Sequence, residues 1–196
     1  MDGKQAPNIS NYEEGFDLWL ILAAILLIDV IVIIIARFTG LFGTMINVWY
    51  DKFGLNAVLA DVLIIFLAFM LGRWIYTKYL KPRYGWDGWI FTGLMIVIQI
   101  VHDLLFYVGV IRPIDKGAND MVDVFKDYAE QGSWKILIAD AGMIIGSTAV
   151  AMAYKTTSMP VIAGITAVAA YSVPYLLATK PIEPKIIIGG SVTTSI

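Results

Sequence analysis

Cysteine is absent from the 196 residues, and histidine occurs once, at His102. Without thiols the chain can form no disulfide, thiolate zinc site, iron–sulfur cluster or cysteine nucleophile. Charge is scarce as well: Asp, Glu, Lys and Arg make up 15% of the residues, where a soluble domain carries about one-quarter. The formal net charge of −2 leaves no concentrated basic surface for nucleic acid. Glycine-rich phosphate loops, nucleophile elbows and paired-histidine metal motifs are missing, so no enzymatic activity, metal or cofactor is expected. The polar start "MDGKQAPNISNYEEGFD" lacks the basic segment of a cleavable signal, so the first apolar run is expected to stay as an anchor.

What the chain does have is apolar length. Hydrophobic residues make up 59% of it and the mean hydropathy is +0.75, which places it among integral membrane proteins. A bilayer core needs about 20 mostly apolar residues per helix. Five stretches meet that need: 18–36, 55–74, 86–111, 135–154 and 160–178. The second ends in "RWIYTKYLKPRYGW", a mixture of aromatic and basic residues suited to the headgroup level. The expected fold is all-α: a polar segment 1–17, a five-helix transmembrane bundle over 18–178, and an extended tail 179–196.

Three connections carry their own signals. Residues 38–54 mix Gly with Phe, Met, Trp and Tyr, as an interfacial helix or loop would. In "PIDKGANDMVDVFKDYAEQGSW" Asn119 suits an N-cap and Gly132 a stop, predicting an amphipathic loop helix over 119–131. Its apolar face, with Met121, Phe125 and Tyr128, would cap the bundle or dock a partner. In the tail, Pro181 and Pro184 break helix, while Ile186, Ile187, Ile188 and Val192 favour a strand that could add to another sheet's edge.

An odd number of spans puts the termini on opposite sides: face A with the N-terminus, face B with the tail. Basic residues divide between the two without a clear majority, although the cluster at 73–83 favours face A as cytoplasmic.

Four of the five spans contain a carboxylate: Asp29, Asp61, Asp103 and Asp140. A charge near the bilayer centre costs a few kcal/mol at least, so each acid needs a reason. At the helical rise they lie about 12, 9, 13 and 8 Å from Arg37, Leu55, Arg112 and Lys135 respectively. All four of those ends belong to face B, so the acids are expected in one layer. Gln99 and His102 share a side of the third span with Asp103. In one reading this layer is structural, hydrogen-bonded through His102, Gln99, Asn56, Ser147 and backbone carbonyls. In the other it is a proton or cation site open to face B. One histidine among scattered aspartates fits no standard metal spacing. Gly142 and Gly146 supply a small-residue motif for close helix packing.

From His102-Asp103-Leu104-Leu105-Phe106-Tyr107, through Pro113, Lys116-Gly117, Asn119, Met121, Asp123 and Phe125-Lys126-Asp127-Tyr128-Ala129, to Asp140, about a quarter of the chain resembles a family of multispanning membrane proteins of nucleocytoplasmic large DNA viruses. The resemblance implies a structural or minor capsid component of the virion inner membrane, derived from host endoplasmic reticulum. It also implies partners among capsid proteins or copies of the chain itself. It brings no enzymatic activity with it.

Overall fold

The computed structural model describes residues 6–182, 187–188 and 191–192, with backbone alone at 131–136 and in the two strand segments. The described helices are α1 (Phe16–Thr39), α2 (Met45–Phe53), α3 (Leu55–Ile75), α4 (Lys81–Tyr84), α5 (Gly88–Phe106), α6 (Asp120–Tyr154) and α7 (Met159–Ala178). Five helical segments are long and apolar enough to cross a membrane: Phe16–Thr39, Leu55–Tyr84, Gly88–Ile111, Leu137–Tyr154 and Met159–Ala178. The chain is therefore an all-α bundle. In the tail, Ile187–Ile188 pairs antiparallel with Ser191–Val192, a ladder two residues long. Ile186 and the side chains of Ile187, Ile188 and Val192 lie outside the described residues.

Two spans are longer than their α-helical cores because each continues through a π-helical turn, Tyr76–Leu80 and Tyr107–Ile111. A proline closely follows each turn, at Pro82 and Pro113. A proline ring collides with the carbonyl four residues earlier, and a wider turn relieves that collision.

The expected loop helix is not a separate element. Asn119 does cap it, accepting from Met121 N and Val122 N at 2.9 and 3.2 Å, but the helix runs through Gly132 without a break to Tyr154. Glycine weakens a helix interior by only about 1 kcal/mol, too little to stop one that is held by packing on both sides.

At the centre of the bundle, α1 packs against α3, α6 and α7, while α5 packs on α3 and α6. Small residues set the closest approaches. A methyl group added at Gly72 would collide with Met95 Sδ, so α3 and α5 meet there almost backbone to side chain. At Gly146 an added methyl would come 3.0 Å from Ile28 of α1, whereas at Gly142 it would meet nothing within 4 Å. The packing motif is therefore carried by Gly146 alone; Gly142 faces open space.

Polar side chains close both ends. At face A the N-terminal segment lies across α3: Thr77 Oγ1 donates to Ser10 O at 2.7 Å and Arg73 donates to the carbonyls of Asn11 and Glu14. Asp17 is 1% exposed, 2.6 Å from Lys155 and 3.9 Å from Arg73. At face B the buried Arg37 pairs with Asp51 at 2.7 Å and donates to Asn47 Oδ1 and Leu177 O at 3.1 and 3.2 Å. Ile182 N donates to Arg37 O at 2.8 Å, tying the start of the tail to the end of α1.

Candidate functional site

Three positive-φ glycines, Gly40, Gly43 and Gly54, flank α2. They let the chain reverse twice between α1 and α3 where a side chain would be strained. The reversal lays α2 over the face-B half of the bundle, against α3 and α6. Two of its three rings then point inward, Trp49 at 3% and Tyr50 at 1% exposure.

These rings reach the acids from above. Tyr50 Oη donates to Asp29 Oδ1 at 3.3 Å, and Trp49 Nε1 donates to Asp61 Oδ2 at 3.0 Å. Burial, together with the nearby charges of Asp29 and Asp61, pushes the Tyr50 phenol well above its ordinary range. It therefore remains a hydrogen-bond donor at any physiological pH.

The acids are also neighbours of one another. Asp61 lies within electrostatic reach of Asp29 and Asp140, and Asp140 within hydrogen-bonding reach of Asp103. Two carboxyls at that separation need a proton or a cation between them. Gln99 Nε2 donates to Asp103 Oδ1 at 2.8 Å, and His102 Nδ1 lies 3.1 Å from the same oxygen. The His102 ring stacks on Phe106 with centroids 5.6 Å apart. His102 thus serves Asp103 rather than the whole layer. Arg37, which sequence spacing allows to reach down to the acids, is committed to Asp51, Asn47 and the Leu177 carbonyl. Ser147 is fully buried with its Oγ unbonded, so it does not hold the layer as expected.

A cavity of about 260 Å³ adjoins this cluster. Asp61, Asp103, Asp140, Gln99 and His102 line it, with Trp49, Tyr50, Phe106, Phe125 and Tyr128 as aromatic walls. Asp29 is fully buried behind Tyr50 and does not border it. The cavity explains why Asp61, Asp103 and Asp140 keep part of their surface open at a depth where apolar neighbours would otherwise seal them. Among the described residues no lysine or arginine lines it.

Of the two roles open to their face, capping the bundle or docking a partner, Met121, Phe125 and Tyr128 take the first, turned onto the bundle rather than outward. Phe125 packs against Trp49 and Phe106 with centroids 4.8 and 6.3 Å apart, Met121 packs against the core, and Tyr128 reaches the cavity. Burial first, then the charges of Asp140 and Asp61, push the Tyr128 phenol up to about 12. An apolar stripe next to exposed aromatics is buried more cheaply against its own bundle than left in water.

Sequence spacing identifies the four acids, Gln99 and His102. It misses Trp49, Tyr50 and Tyr128 as members of the site. The adjacent Trp49-Tyr50 pair, apolar rings with polar tips in a glycine-bounded segment, is the signal that could have marked them.

Among the described residues no group of three or more His, Asp or Glu is arranged to hold a metal ion. No protein-family model, curated protein or solved structure matches the chain.

Proposed function

We propose that the chain is a structural membrane protein of a large DNA virus particle, linking the virion inner membrane to the capsid layer from face B. The observation that supports this reading is the continuity of α6: the face-B segment is one helix with a membrane span, so a load on the first is carried directly into the second. That segment is braced on several sides. Lys116 pairs with Asp127 at 2.6 Å, Gly117 N donates to Asp123 at 2.9 Å, Lys126 donates to the Ile114 carbonyl, and Lys52 pairs with Asp120 at 3.2 Å. With the apolar stripe of α6 turned inward, its outer surface is polar, and Asp115, Asp120, Asp123, Asp127 and Glu130 outnumber Arg112, Lys116 and Lys126 between 112 and 130. A capsid partner would accordingly meet a mainly acidic platform, with the tail 181–196 as a second attachment. The test is purified particles: the protein should be present at structural stoichiometry, and deletion of 181–196 should impair assembly while membrane insertion persists. Absence of the protein from particles would end this reading.

A second reading, a proton or cation carrier, is favoured by the cavity against three intramembrane carboxyls. Reconstituted vesicles should then show an ion or pH flux that Asp103→Asn removes. No flux from the unmodified protein would exclude it.

A further inference from the structure

The cavity offers acceptors that the protein does not satisfy. Gln99 is 5% exposed and gives its amide N–H to Asp103, yet its Oε1 has no donor. Asp103 uses Oδ1 for both Gln99 and His102, and its buried Oδ2 has no donor when the neighbouring Asp140 is ionised. Of the nearby indole and phenol donors, Trp49 is spent on Asp61 and Tyr50 on Asp29, while the Tyr128 phenol lines the cavity without bonding either acceptor. What would complete this site is a group that donates several hydrogen bonds and carries positive charge.

The walls narrow the choice. Phe106, Phe125 and Trp49 present rings, which attract a cation through their faces but give a metal ion no oxygen ligand. A carbon-bearing cation uses both parts of the lining, its N–H groups on the acceptors and its methylenes on the rings. At about 260 Å³ the cavity falls below the range of drug-sized pockets, so the occupant is small.

We propose that the cavity binds a small organic ammonium ion, its N–H groups donating to Gln99 Oε1 and Asp103, with the aromatic walls around its carbon atoms. The proposal concerns binding alone and holds whichever larger role the protein has. The ammonium can come from a free amine or from the headgroup of an aminolipid, since the chemistry recognised is the same.

The experiment is calorimetric titration of the full chain in nanodiscs of phosphatidylglycerol, with empty discs of the same lipid subtracted. The probes are butylammonium and, as its neutral counterpart, 1-butanol. Butylammonium should bind saturably and 1-butanol should not. In discs enriched in phosphatidylethanolamine, an apparent affinity weaker by roughly tenfold identifies the lipid headgroup as the natural occupant, and an unchanged affinity identifies a free amine; either accompanies the supporting result. Asp103→Asn and Gln99→Leu should each weaken butylammonium by roughly tenfold or more. Absence of saturable butylammonium binding, equal binding of 1-butanol, or full affinity in Asp103→Asn would overturn the proposal. The comparison of the two probes on the unmodified chain needs no variant to fold.

Discussion

At the face-A end Asp17 lies 2.6 Å from Lys155 and 3.9 Å from Arg73, whereas in the face-B half Asp29 and Asp61 accept, among the described residues, from a phenol and an indole. Both sets of acids are removed from bulk water, yet they are solved by different chemistry. Face A neutralises charge with charge and then covers it with the N-terminal segment, where the carbonyls of Asn11 and Glu14 accept from the same Arg73 nitrogen that faces Asp17. The face-B layer has neutral donors, one histidine and a cavity. Face A is thus built to be closed, while the acid layer keeps room beside it.

The largest expected effect tests the closed end. Asp17→Asn removes the carboxylate paired with both Lys155 and the Arg73 side chain, itself 0% exposed, and should cost about 3 kcal/mol because an unpaired buried charge is costly. In the acid layer Asp29→Asn keeps an oxygen for Tyr50 and should cost about 1 kcal/mol or less. Equilibrium unfolding in detergent measures both, and equal losses would break the contrast.

Next in size is a pair of glycines on either side of the bundle. Gly72→Ala, beside Arg73, forces a methyl onto Met95 and should destabilise by about 2 kcal/mol. Gly142→Ala, next to Ala139 and Asp140 in sequence, meets no neighbour and should be neutral or stabilising by up to about 1 kcal/mol. The same unfolding measurement in the opposite order would mean that the packing of the two halves has been read the wrong way round.

The smallest effect is confined to alkaline pH. Tyr128 holds its proton in the folded chain up to about 12, against about 10 when unfolded. Its contribution is complete below about pH 10 and is lost as the pH rises towards about 12, since the unfolded chain releases its proton first. Phenolate absorbance compared between the unmodified chain and Tyr128→Phe should show one tyrosine missing from the late phase. A difference near pH 10 instead would place Tyr128 in water.

Much of the fold was legible because membrane spans are written locally. A run of about 20 apolar residues marks a helix whatever it packs against. Depth was legible for the same reason, since a fixed rise per residue converts sequence position into ångströms. Hence Asp29, Asp61, Asp103 and Asp140 could be placed in one layer before any contact was known. The boundary at Gly132 was misread because a glycine stops a helix only where packing does not carry it onward.

The class, the five spans, the level of the acids and the local group of Gln99, His102 and Asp103 are all written along the chain. These follow from hydropathy and helical periodicity, which act between residues close in the chain. It is the packing of distant segments that folds α2 back over the layer, seals Asp29 with Tyr50, turns Arg37 to Asp51 and leaves a cavity between the acids and the rings. Those outcomes depend on the directions in which glycine turns send the chain and on side-chain volumes meeting across helices, and neither is encoded in any single stretch.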